Sequence, residues 1–203
     1  MAKLRLGVLV SGRGSNLQAI LGAIAQGELA AEVAVVVSDH PAVPAIAHAA
    51  RHGVPVTVIE RSAYPSRRGH QLAIAAALAD YDVQLVVLAG FDRVLGADVL
   101  QRFAGRIINV HPSLLPAFGG GLHAQADALA HGAKVSGCTV HFVTAEVDAG
   151  PIIIQRAVPV YDDDTPDTLS ARILAEEHRA LPEAIRLFAS GRLTLHGRCV
   201  RLV

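Results

Sequence analysis

From Leu4 to Val110 short apolar runs alternate with stretches of helical periodicity, and this alternation limits the fold more than any other feature of the chain. Leu4 to Val10 is apolar nearly throughout and ends in Ser11-Gly12-Arg13-Gly14-Ser15-Asn16, after which Leu17, Ile20, Leu21 and Ile24 recur at helical spacing. That is a strand, a tight loop and a helix. The unit repeats as a strand over Val33 to Val37, a helix over Ala42 to His52, a strand over Val54 to Ile59 and an Ala-rich helix over Arg67 to Asp80. Val83 to Ala89 is apolar on both faces, as a central parallel strand covered by helices on each side requires. A short helix from Gly96 to Phe103 and a strand from Arg106 to Val110 complete the series.

After residue 111 the regularity changes. A Pro/Gly-rich loop runs from Pro112 to Gly121, a helix is predicted over Leu122 to His131, and Cys138 to Val143 and Ile152 to Val160 read as strands of a mixed or antiparallel extension. Thr165 is a good N-cap with Pro166 at the first helical position, and the helix that follows runs to about Ser190, where Gly191 stops it. Pro182 should kink or divide it. Arg192 to His196 and Cys199 to Leu202 are placed to pair as a terminal hairpin. The fold class is α/β: an open, twisted, mostly parallel sheet flanked by helices, Rossmann-like in its N-terminal half with a mixed C-terminal extension.

With 203 residues, 52% of them apolar and 18% charged, the chain has the core material for a single domain, residues 1–203. A chain of this length buries roughly 70% of its unfolded surface. Eighteen basic and 18 acidic residues cancel, which removes the electrostatic footprint of a general nucleic-acid or acidic-membrane binder. Leu72 to Ala79 and Leu85 to Ala89 are far shorter than the ~20 residues needed to cross a bilayer. The start of the chain has no signal-peptide core, so a cytoplasmic location is expected. Cys138 and Cys199 lack metal-ligand spacing and read as reduced core thiols, with no disulfide and no metal site expected.

Two places carry chemistry. A loop between a parallel strand and a helix N-terminus presents open backbone N–H groups, so Gly14, Ser15 and Asn16 form an anion site suited to one phosphate. A dinucleotide fingerprint would want glycine where Leu17 stands and an acid near the end of the second strand, where Asp39 is a weak match. The same small residues would also serve in a plain turn ahead of a helix. At the end of a later strand, alternation points Asn109 and His111 to one side, where an amide donor and an imidazole could serve a carbonyl under attack by an amine. His111 could instead simply close a loop before Pro112. Asp148, in Glu146-Val147-Asp148-Ala149-Gly150-Pro151, is the best carboxylate to orient His111, or it forms an Asx-turn. Asp162-Asp163-Asp164 reads as a solvated loop.

Five segments together resemble a known family: Ser11-Gly12-Arg13-Gly14-Ser15-Asn16-Leu17, Leu88-Ala89-Gly90-Phe91, Asn109-Val110-His111-Pro112-Ser113-Leu114-Leu115-Pro116, Val140-His141-Phe142-Val143 and Asp148-Ala149-Gly150-Pro151. They are similar to the phosphoribosylglycinamide formyltransferases, folate-dependent enzymes of purine synthesis, over nearly the whole chain. The resemblance implies a formyltransferase fold, with residues 1–111 as a nucleotide-binding half and 112–203 as a folate-binding and completing half. It implies transfer of the formyl group of the co-substrate 10-formyltetrahydrofolate to the primary amine of glycinamide ribonucleotide, without a metal. By position, Gly14, Ser15, Asn16, Leu174 and Glu177 fall at the ribonucleotide. Arg67, Asp92, Arg93, Val94, Leu95, Asn109, Val143, Thr144, Ala145, Glu146, Val147 and Asp148 fall at the folate. Asn109 would stabilise the oxyanion, His111 would act as general acid/base, and Asp148 would orient His111 and raise its pKa.

The chain departs from the family pattern at four places. Gly119-Gly120-Gly121 stands where Pro-Gly is usual and predicts a looser loop, Asp92 replaces a common Met, Leu174 a polar residue, and Ala117 a frequent Lys. Formyltetrahydrofolate hydrolases and methionyl-tRNA formyltransferases share the pattern around Asn109 and His111, but zero net charge disfavours the tRNA enzyme. A non-catalytic nucleotide-binding module would need only the Gly14 loop. The expected partners are two small molecules, with no nucleic acid or membrane, and a monomer or homodimer as the assembly.

Overall fold

The computed structural model describes residues 3–203. The chain forms two compact units, one running to Ile108 and the other from Asn109 to Val203. In the first, β1 (Leu4–Val10), β2 (Ala31–Ser38), β3 (Val56–Val58) and β4 (Leu85–Leu88) are all parallel, in the order β3-β2-β1-β4. The helices α1 (Ser15–Ala25), α2 (Pro44–Arg51) and α3 (Arg67–Asp80) are the crossovers that parallel pairing demands, and α4 (Ala97–Arg102) follows β4. Leu6, Leu9, Val35, Leu85, Val86 and Val87 are fully buried, which accounts for strands that are apolar on both faces. Each such buried Leu or Val contributes ~1.5–3 kcal/mol relative to exposure. The sequence expectations for these elements hold within a few residues. Helix α2 starts at Pro44, whose fixed φ and missing N–H suit the first helical position, rather than at Ala42.

Strand β5 (Ile107–His111) is followed by α5 (Ala124–Ala130), β6 (Val135–Phe142), β7 (Ile152–Pro159), α6 (Pro166–Ala189), β8 (Leu193–His196) and β9 (Cys199–Leu202). Strands β6 and β7 are antiparallel, β9 runs parallel to β7 through Ile152 and Cys199, and β8 closes a hairpin on β9, so the extension is mixed as expected. Strand β6 begins three residues before the expected Cys138. Ser136 and Gly137 hide it from an apolar count, yet a Cβ at Gly137 would lie 2.0 Å from the Arg156 carbonyl oxygen, so glycine is what lets β7 lie alongside. Helix α6 is capped by Thr165 and Thr168 in a reciprocal box, with Pro166 at its start.

Two expectations are corrected. Of the kink or division expected at Pro182, division does not occur: α6 runs unbroken from Pro166 to Ala189, and Leu181, Ala184 and Ile185 are fully buried around the proline, packing that outweighs the lost hydrogen bond. The cysteines are both free, but only Cys138 is a core thiol. Cys199, at the start of β9 in the terminal hairpin, is exposed. Burial, helped by the nearby Glu177 and Glu176, pushes the Cys138 thiol up to about 12. No helix among the described residues is long and apolar enough to cross a membrane.

Candidate active site

In the second unit β5 ends on Asn109 and His111, two residues apart and therefore on one face. The His111 Nδ1 lies 3.4 Å from Asp148 Oδ2, and its Nε2 lies 3.1 Å from the Phe118 carbonyl oxygen. Both ring nitrogens thus face acceptors. Asn109 Nδ2 is 3.2 Å from His141 Nε2, which is itself 3.7 Å from Asp148 Oδ1. His141 Nδ1 faces the Phe142 carbonyl at 2.9 Å, so that nitrogen carries a proton. Its Nε2 thus lies between the Asn109 amide and the Asp148 carboxylate. His111 and His141 are both buried.

Asp148 sits at the centre of this group. Its carboxyl is held below the ordinary 3.8 chiefly by the His141 ring, with the Gly120 N–H at 2.8 Å and the charge of His111 adding to it, while partial burial works the other way. The loop that carries it is fixed by a close approach. A Cβ on Gly150 would lie 1.7 Å from the Phe142 carbonyl oxygen, and Pro151 O accepts from the Phe142 N–H at 2.9 Å. Asp148 itself adopts φ 52, a left-handed value that Asp tolerates better than most residues.

The Pro112 to Pro116 segment is pinned from below. Leu115 N–H donates to Thr139 Oγ1 at 3.0 Å, Thr139 donates to the Ser113 carbonyl at 2.7 Å, and Gln155 donates to the Leu115 carbonyl at 2.8 Å. The glycine loop expected to be loose is tethered through Phe118 to His111, through Gly120 to Asp148, and by the Phe118 ring set edge-on to His131 at 5.8 Å. Val143 is half-buried and Thr144 to Val147 are exposed, with Thr144 Oγ1 bonded to the Glu146 carbonyl at 3.1 Å. On α6, Glu177 is buried and Leu174 half-buried.

In the first unit Gly14 is the N-cap of α1, at φ 76 and ψ 22, and no acid occupies the first turn. Glycine is needed there twice, because a Cβ would also lie 2.7 Å from the Ala45 backbone. Ser15, Asn16 and Leu17 form the first turn of the helix, the positive end of its dipole. Arg67, Asp92, Arg93, Val94 and Leu95 come together around one loop. Arg67 donates to the Val94 carbonyl at 3.2 Å and Asp92 N–H to Ser11 Oγ at 2.9 Å, while Leu95 is buried and Val94 exposed.

Residues 4–185 match the family model described as formyl transferase. The chain is 47% identical to phosphoribosylglycinamide formyltransferase of Mycobacterium tuberculosis, over 97% of this chain and 90% of that one. It belongs to the phosphoribosylglycinamide formyltransferase family. Glycinamide ribonucleotide transformylase 1 from Symbiobacterium toebii has the same fold, with a TM-score of 0.97 and 54% identity over 100% of this chain and 95% of that one. The formyltransferase fold and the α/β class are therefore as expected. The chain spans 19% of the human trifunctional purine biosynthetic protein adenosine-3, to which it is 44% identical over 95% of its own length. A formyltetrahydrofolate deformylase from Pseudomonas syringae shares the fold at a TM-score of 0.92 and 26% identity, over 98% of this chain and 66% of that one.

Within this family fold the structure groups Asn109, His111 and Asp148, and it adds His141, to which sequence reasoning gave no role. The available signal was a titratable residue near the end of a buried strand, between Val140 and Phe142. Among the described residues no group of three or more His, Cys, Asp or Glu side chains could hold a metal. The acidic run is accounted for by partners: Asp162 pairs with Lys134 at 2.6 Å, and Asp164 takes both arms of Arg172 at 2.8 Å.

Proposed function

We propose that this chain transfers the formyl group of 10-formyltetrahydrofolate to the primary amine of glycinamide ribonucleotide, giving formylglycinamide ribonucleotide and tetrahydrofolate. The observation that carries the reading is the meeting of the buried His111 and His141 with the half-buried Asn109 and Asp148 in a chain of this family. As the amine nitrogen bonds to the formyl carbon, the carbonyl oxygen becomes negative, and the Asn109 amide is the donor for it. His111 carries the proton that leaves the amine, and N10 of the folate takes a proton as its bond to the formyl carbon breaks. Asp148, kept ionised, orients His111 and balances its charge; His141 fixes the Asn109 amide.

In this reading Gly14, Ser15 and Asn16 take the ribonucleotide phosphate, with Leu174 and Glu177 also toward that substrate. Arg67, the Asp92 to Leu95 loop, Asn109 and the Val143 to Asp148 loop take the folate. The enzyme acts in the cytoplasm on two small molecules. The same side chains could direct water onto the formyl group, and the likeness to a deformylase makes hydrolysis the alternative.

A steady-state assay of formyl loss from 10-formyltetrahydrofolate, with and without glycinamide ribonucleotide, separates the two. Turnover only with the amine is expected. Amine-independent turnover would replace the transferase with the hydrolase, and no turnover in either condition would remove both.

A further inference from the structure

Asp39, the first residue after β2, is buried, with its side chain 1% exposed, and it belongs neither to the candidate phosphate loop nor to the group around His111. Its Oδ2 accepts from Arg93 Nε at 2.6 Å and lies 3.7 Å from His40 Nε2, while its Oδ1 is buried with no hydrogen-bond partner among the described residues. A carboxylate half-satisfied in this way is costly, because the lost hydration of Oδ1 is not returned by the protein. Surface stability does not account for such a group; the arginine it holds does.

Arg93 is gripped by its Nε, the inner edge of the guanidinium, and its side chain is 41% exposed. The outer Nη pair is therefore projected as a fixed two-donor fork, with its rotamer freedom already removed before any ligand arrives. The surrounding loop is held on every side: Asp92 by Ser11, Val94 by Arg67, and Gly96 N–H by Gln71 Oε1 at 2.7 Å. Of the groups that hold this loop, Asp39 is the carboxylate and the one that bonds a side chain expected at the folate rather than the backbone. We propose that Asp39 is a positioning residue for the formyl folate, acting through Arg93. The inference rests on the functional reading above.

The test compares Asp39→Asn, Arg93→Ala and the double variant with the native enzyme, reading kcat, KM for each substrate, melting temperature and equilibrium binding of tetrahydrofolate by fluorescence. Asp39→Asn should raise KM for the formyl folate about tenfold. It should leave kcat and KM for the ribonucleotide near the native values, and add little on top of Arg93→Ala. Additive losses, a rise in KM for the ribonucleotide instead, or an unchanged folate KM would each overturn the proposal. If Asp39→Asn does not fold, Arg93→Lys keeps the buried carboxylate paired while removing the fork; it should show the same folate-specific loss, and native folate affinity in that variant would overturn it. Tetrahydrofolate binding is read without turnover, so absence of transferase activity in the native chain would sink the functional reading while leaving the Asp39 result separately measurable.

Discussion

In the first unit the candidate phosphate loop is a run of neighbouring residues whose working groups are backbone N–H, displayed because Gly14 takes a left-handed turn at the end of a buried strand. In the second unit the working groups are side chains, gathered from positions as far apart as Asn109 and Asp148 and held by one hydrogen bond and two close His–carboxylate contacts among themselves. A backbone site survives most side-chain changes and depends on one glycine. A side-chain site depends on each member and on the close backbone approach that delivers it.

The sharpest way to break this contrast is at the histidine and the carboxylate. His111→Ala and Asp148→Ala should each lower kcat by ~10² or more with smaller effects on KM, as expected for groups that act in the transition state. Native kcat in both would end the assignment. Gly150→Ala comes next, because its Cβ would meet the Phe142 carbonyl at 1.7 Å. It should destabilise the fold by about 2 kcal/mol or more in chemical denaturation and lower kcat as well. An unchanged denaturation midpoint would show that the Asp148 loop can move aside.

Gly14→Ala tests the other side of the comparison. Strain at φ 76 and contact with Ala45 should raise KM for the ribonucleotide roughly tenfold while sparing kcat. If KM for the folate rose instead, the phosphate would be misplaced.

The smallest effect concerns acid. Because Asp148 is depressed below 3.8 in the folded chain, its contribution to stability is complete above that value and is lost as pH falls through the folded value. The unfolding free energy of the native enzyme should therefore drop more steeply below about pH 4 than that of Asp148→Asn. Parallel curves would mean that the two histidines and the Gly120 N–H do not hold the carboxylate.

The legibility of the two sites follows the same division. Gly14, Ser15 and Asn16 could be read directly, since a strand, a tight turn and a helix in succession create the donors by local geometry alone. Asn109 and His111 were readable as a pair through two-residue alternation, and Asp148 through its turn residues. His141 was not, because a polar residue in a buried strand that also carries Ser136 and Thr139 looks the same whether it is a structural group or a partner to residues far along the chain. Asp39 was dismissed for lacking the dinucleotide pattern, and only the position of Arg93 showed what it touches.

By itself, the sequence determined the order of strands and helices, the parallel character of the first unit, the caps of α6 and the family. These depend on local periodicity and on turn residues, which act within a few positions. Tertiary structure alone decided the early start of β6, the survival of α6 across Pro182, the exposure of Cys199 and the partners of His141 and Asp39. Each of these is settled by atoms that come close only after folding, where packing and desolvation outweigh what any short stretch of sequence prefers.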